Sequence, residues 1–186
     1  MFRIDYKVFL KCYPGEFLFY AVGILGGIVL LPSNFKGGFI IIISLVLSCV
    51  WSLSAWKNHF KKGIILPAVV VNPKKNLIAV LADFNCQGSR PYPVIKIVKR
   101  PISRAAGAPF KKAARLATVA DFRNKVVSRK HWGDVYPVVV NCATANKKTI
   151  KRVLDMIEDE EWVFLIAALK QIKQPFRPGI YPVKFE

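Results

Sequence analysis

His131 and Asp134 stand three residues apart in the string Lys130-His131-Trp132-Gly133-Asp134. A histidine base oriented by a carboxylate is two thirds of a nucleophilic site. No serine or cysteine is tied to this pair by a motif, so the string reads as a turn leading into a strand, with Trp132 capping the fold. His59 is the only other histidine. Two histidines without a cysteine pair do not make a metal cage. Cys12, Cys49, Cys86 and Cys142 show no paired spacing and read as free thiols of a reducing compartment. Gly88, Gly107 and Gly133 are isolated, and no glycine loop ends in Lys-Ser/Thr, so nothing resembles a phosphate cradle. The expectation is a protein that is not an enzyme, with no catalytic residue, cofactor or metal.

Charge is the stronger signal. From Arg90 to Lys130 there are twelve Lys/Arg and one acid, Asp121. Five of them, Lys96, Arg100, Lys111, Lys112 and Arg115, are the candidate anionic-surface site. Lys96 and Arg100 share one side of an alternating strand, with Val94 and Val98, and that side is expected to meet solvent. Lys111, Lys112 and Arg115 follow after a loop that could bring them alongside. Such a face fits anionic lipid head groups, at about 1 kcal/mol per basic residue, or an acidic protein partner. Nucleic acid is less favoured. Single-strand binders interleave aromatic stacking platforms with their cations, and this cluster holds only Tyr92, Phe110 and Phe122. The one acidic cluster, Glu158 to Glu161, suits the first turn of a helix; the alternative is a docking site for a basic partner.

The elements that must carry these residues divide the chain sharply. Its 186 residues are 53% hydrophobic yet carry a formal charge of +18. The apolar residues concentrate in two charge-free runs, Phe17 to Leu31 and Phe39 to Trp56. A bilayer crossing needs about 20 apolar residues, with about 17 the lower limit. The second run meets that and the first nearly does, so residues 17–56 read as a transmembrane helical hairpin turned by Pro32 to Gly38. Arg3, Lys7 and Lys11 precede it, and Lys57, Lys61 and Lys62 follow. The positive-inside bias puts both termini in the cytoplasm, and the soluble domain with them. Trp51 and Trp56 are expected at the inner interface. Gly23 and Gly27, with Ser44 and Ser48, have the small-xxx-small spacing that lets helices approach: packing within the hairpin, or a homo-oligomer. Residues 1–16 read as an amphipathic surface helix capped by Asp5, with a strand the alternative.

Residues 57–186 form the basic soluble domain, holding 25 of the 29 basic residues and 9 of the 11 acidic ones. Strands are predicted at Ile64–Val71, Leu77–Phe84, Pro93–Ile102, Arg115–Phe122 and Val135–Cys142, separated by Gly/Pro/Asn turns. Five short strands predict a small closed or half-closed barrel, of oligonucleotide-binding or SH3-like type. A helical pair is predicted over about 146–172. Its second stripe opens at Trp162, whose ring is expected to pack against the barrel. The tail from Gln174 reads as extended. The fold class is therefore a membrane-anchored α+β protein.

Leu77 to Phe84, Tyr136 to Val138 with Ala143-Thr144, Ile150 to Ile157, Glu161 to Leu165 and Pro178 to Tyr181 together resemble a family of uncharacterised bacterial membrane-anchored proteins with a cytoplasmic β-barrel-like domain. The resemblance implies a hairpin plus barrel and no activity. The functional expectation is an inner-membrane-anchored interaction module whose basic domain docks on a protein partner or an anionic lipid surface. The alternatives are a membrane-tethered nucleic-acid binder and an immunity or regulatory protein of a toxin or secretion system.

Overall fold

The computed structural model describes residues 3–86, 91–126 and 131–184. In chain order the elements are α1 (Tyr6–Cys12), α2 (Gly15–Leu30), α3 (Phe35–Lys62), β1 (Ile64–Asn72), β2 (Leu77–Asp83), β3 (Pro93–Lys99), β4 (Arg115–Val126), β5 (His131–Val139), α4 (Lys147–Leu154), α5 (Asp159–Lys170) and β6 (Gly179–Pro182). Short 3-10 turns stand at Ile102–Arg104 and Val140–Cys142.

Asp5 caps α1 by accepting from the Lys7 and Val8 amides. The helix splits its expected membrane face: Tyr6 and Leu10 are exposed, but Phe9 and Cys12 are buried against the domain. A bend of 95° separates α1 from α2. Asn34 then caps α3 through the Gly37 amide. At about 1.5 Å per residue, the 28 residues of α3 cover about 42 Å, more than the about 30 Å of a bilayer's hydrocarbon. Among the described residues it is the one single helix long and apolar enough to cross a membrane; α1 and α2 meet that test only when taken together as a bent pair. The 16 residues of α2 cover about 24 Å, short of a full crossing by themselves.

The two helices meet at glycines. A Cβ on Gly23 would lie 2.6 Å from Leu45 Cδ1, and one on Gly27 2.8 Å from Ile42 Cγ1. A Cβ on Gly38 would lie 2.7 Å from the Gly27 carbonyl oxygen. Ser44 and Ser48 are exposed in the chain. Large apolar side chains cover the rest of the hairpin: Val29 is 75% exposed and Trp51 79%. Trp56 is half-buried. Its ring packs 4.9 Å from Phe9 and 6.2 Å from Tyr136.

The six strands form one antiparallel sheet in the order β5-β4-β1-β2-β3-β6. Both faces are buried, which explains why β1 and β2 read as continuous apolar runs rather than alternations. Val69, Ala79, Leu81, Ile95, Ile97 and Val119 face the convex side, under Trp162, Leu165 and Ala168 of α5. Leu66, Val70, Ile78, Val80, Val94 and Leu116 fill the concave side, closed by Ile102, Cys12 and Cys142. The sheet curls until its flanks approach. Three strands separate β3 from β5, yet Lys96 Nζ donates to Asp134 Oδ1 at 2.5 Å and to the Val135 carbonyl at 2.6 Å. The Trp132 amide also donates to the Phe84 carbonyl at 2.8 Å.

The result is a curled half-barrel, the half-closed form of the expectation, with six strands among the described residues where five were predicted. The sixth strand comes from the proline-rich tail. Its four residues sit on the sheet edge, where Pro182 is tolerated because one side of an edge strand needs no donor. The helical pair lies within its expected span, with the break at residues 155–158. No linker joins helix to barrel: only Gly63 separates α3 from β1.

Candidate functional site

Antiparallel pairing sorts the connections between strands. The β1–β2 turn, the β3–β4 connection and the segment after β5 all emerge at one end of the half-barrel. Residues 72–76 and 99–115 supply most of that end, and they hold eight Lys/Arg and no Asp or Glu. Residues 140–146 add no acid. The bend between α1 and α2 lies against this end. Tyr13, Glu16 and Phe19 share a cavity of about 730 Å³ with Asn76, Lys99, Arg100, Ser103 and Arg104. The cationic end therefore adjoins the base of the apolar hairpin.

The five candidate residues divide. Lys96 lies on the concave side with Val80, its cross-strand partner, and its ammonium is committed to Asp134 across the curl. The strand face expected to meet solvent thus points into the half-barrel, because the curl supplies a carboxylate and a carbonyl there. Arg100 is also engaged: Nε donates to the Pro137 carbonyl at 2.6 Å, and the guanidinium lies 4.5 Å over the Tyr136 ring. Lys111 and Lys112 are exposed at the basic end. Arg115 lies 5.0 Å over the Trp162 ring and 4.0 Å from Asp159. Trp162 itself is 3% exposed. Of the other basic residues in the cluster, Arg90, Arg129 and Lys130 lie outside the described residues.

The opposite end differs in sign. A cleft of about 600 Å³ opens there between the starts of β1 and β3, the end of β2 and the first turn of α5. Leu66, Phe122, Trp132 and Phe164 line it together with Asp83, Glu158, Glu160 and Glu161. Burial, with Glu158 nearby, pushes the Glu161 carboxyl above the usual carboxylate range. Asp83 is already used: Oδ1 accepts from the Asn85 and Tyr92 amides at 2.9 and 2.8 Å.

His131 and Asp134 do not act together. His131 Nδ1 bonds the Trp132 carbonyl at 2.7 Å and its ring stacks on Tyr92, while Asp134 holds Lys96. The histidine–carboxylate pair lies elsewhere. His59, in the last turn of α3, places Nδ1 2.5 Å from Asp121 Oδ2 and Nε2 3.1 Å from the Val119 carbonyl. These residues are 62 apart in sequence, and no motif links them. His59 is buried, and with acceptors at both nitrogens it ties the helix end to β4. Cys12 and Cys142 also meet unannounced by spacing. The Cys142 thiol, hydrogen-bonded to Cys12 and buried, is pushed up; the same hydrogen bond holds Cys12 down. The Tyr13 hydroxyl beside them is raised by burial. Among the described residues no cluster of three His, Cys, Asp or Glu could hold a metal ion.

Comparison with known proteins bears on the fold. A crystal structure of "a putative membrane protein from Corynebacterium diphtheriae" is similar to this chain, with a TM-score of 0.55 at 20% identity. The similarity covers 64% of this chain and 100% of the other. No curated protein matches the sequence. Residues 52–173, from the last turns of α3 through α5, match the family described as "Protein of unknown function (DUF3239)". That match takes in well over half of the sequence, and the chain belongs to this family.

Proposed function

We propose that this protein is a non-enzymatic membrane-anchored module whose basic half-barrel end docks on the anionic face of the membrane holding its hairpin. One observation carries the reading: the strand connections at this end of the half-barrel, residues 72–76 and 99–115, hold eight Lys/Arg and no Asp or Glu, and they abut the base of an exposed apolar hairpin. A surface of anionic lipid attracts basic residues within about a Debye length, roughly 8–10 Å at physiological salt. The hairpin anchors in a bacterial inner membrane with both termini cytoplasmic, as the flanking lysines and arginines favour. A reporter active only in the periplasm would be silent when fused after Glu186 and active when inserted at Asn34.

Docking is tested on the full chain in bilayer nanodiscs, by mass spectrometry after brief treatment with an amine-acylating reagent. Lys74, Lys75, Lys111 and Lys112 are expected to be protected in discs containing acidic lipid, relative to neutral discs, and to lose protection at about 1 M salt, where the Debye length is about 3 Å. Lys61 and Lys62, just before the start of β1, are the internal control. Equal labelling in both kinds of disc would overturn the reading. Protection by added single-stranded nucleic acid, but not by acidic lipid, would favour the nucleic-acid alternative.

A further inference from the structure

The cavity at the basic end is more specific than a charged surface. Its wall on the barrel side is the end of β3 and the 3-10 turn at Ile102–Arg104, and its other wall is the α1–α2 bend. At about 730 Å³ it falls within the usual range of small-molecule sites, about 300–1,000 Å³. Lys99, Arg100 and Arg104 bring three cations to it, against the single carboxylate of Glu16. Arg100 is already fixed by the Pro137 carbonyl and Tyr136. Lys99 and Arg104 are exposed and form no ion pair among the described residues. The Ser103 side chain and Asn76 add polar groups beside them, and the Asn76 side chain holds the Ser103 amide at 2.9 Å.

The chemistry changes along the cavity. Phe19 lines it and is 71% exposed. It begins the apolar surface that Val22, Leu25 and Val29 continue along α2. A soluble anion would use the cations and leave Phe19 in water. A glycerophospholipid uses both, with its phosphate at Lys99 and Arg104 and its chains along α2.

We infer that this cavity is a binding site for the phosphate-bearing head group of one anionic glycerophospholipid drawn from the adjoining leaflet. The inference rests on the docking proposed above and deepens it from a diffuse attraction to a single site with two named ligating cations. The lipid would occupy the corner between hairpin and barrel as a fixed component of their junction.

The test uses the full-length protein in detergent micelles, titrated with phosphatidylglycerol and followed by native mass spectrometry. One tightly bound lipid is expected, in excess over the weaker statistical binding of phosphatidylcholine. The double variant Lys99→Gln/Arg104→Gln should weaken that first site at least tenfold. Lys74→Gln/Lys75→Gln removes the same charge from the same end but outside the cavity, and should leave the first site within about threefold. All four side chains are exposed, so thermal midpoints should match the parent and exclude misfolding as the cause.

Equal weakening by both double variants would overturn the site while leaving electrostatic docking intact. No effect of either variant, together with unchanged lysine labelling in acidic discs, would overturn both. Inorganic phosphate at millimolar concentration should not displace the lipid. If it does so, and binds alone with the same dependence on Lys99 and Arg104, the lipid assignment fails in favour of a soluble phosphate compound.

Discussion

The hairpin and the sheet are built from the same side chains and treat them in opposite ways. Ile78, Val80 and Ile95 of the sheet are fully buried, whereas Ile40, Leu47 and Val50 of α3 are exposed along its length. In the middle of the sheet, apolar residues on both faces are covered by protein. In the hairpin, the glycine seam and the base at Phe17 and Trp56 are covered by protein, and most of the remaining apolar surface faces outward. Monomeric soluble proteins rarely expose apolar patches larger than a few hundred Å². The difference teaches that the sheet's apolar residues are matched by packing within the chain, while the hairpin's outer surface is left without a protein neighbour, as the proposed membrane anchoring requires.

Substitutions measured as thermal unfolding of the full chain in micelles can break or sharpen that contrast. The largest effect is expected from Trp162→Ala, which empties the space between α5, Arg115 and the sheet. Truncation of a buried Trp costs about 3–5 kcal/mol, a large part of a small domain's stability. An unchanged midpoint would mean that α5 is not part of the cooperative core.

Lys96→Met comes next. It leaves Asp134 and the Val135 carbonyl without their shared donor inside the curl, at a cost of about 1.5–3 kcal/mol for hydrogen bonds to a charged group. Because Lys96 closes the half-barrel, Trp132 fluorescence should shift as β5 loosens. A variant as stable as the parent would show that the apolar fill alone sets the curl.

Gly27→Leu inserts a side chain where a Cβ already meets Ile42 at 2.8 Å. Overpacking of this kind costs about 1–3 kcal/mol. The effect should fall on the hairpin and leave the Trp162 environment unchanged. Concerted loss of both would make hairpin and sheet one cooperative unit. The smallest effect belongs to Leu47→Ala on the outward surface of α3, expected within about 0.5 kcal/mol. A cost of several kcal/mol there would mean that this surface is buried against protein.

What the sequence made legible follows from the range of the physics involved. The bounds of β1, β2 and β4 lie within a few residues of their predicted runs, and Asp5 caps α1 as expected. The break before α5 was readable from the five-residue step between Ile157 and Trp162. These are local properties. The strand order, the partnership of His59 with Asp121 and the meeting of Cys12 with Cys142 depend on residues far apart, and no spacing records them. Lys96 is the instructive case. Alternation places it on the face with Val94 and Val98, and charge suggests water. Only the curl, which brings Asp134 across the concave side, makes the inward direction the stable one. The basic cluster was visible as a count along the chain, but its gathering at one end required the antiparallel order.

Gly63 has a mechanical consequence. A Cβ at this position would lie 2.6 Å from both the His59 carbonyl oxygen and Val119 Cγ1, so helix and strand join at a contact too close for any other residue. His59 and Phe60 are sunk into the domain just before it, and the joint has no slack. A helix in a bilayer accommodates a change in hydrocarbon thickness by changing its tilt. In the proposed anchoring of α3, a change of tilt would pass to β1 through this joint. A strand of nine residues is about 30 Å long at about 3.3 Å per residue, so a tilt of α3 by about 10° would swing the far end of β1 by about 5 Å, and the half-barrel would move as a pointer on the thickness of the membrane beneath it.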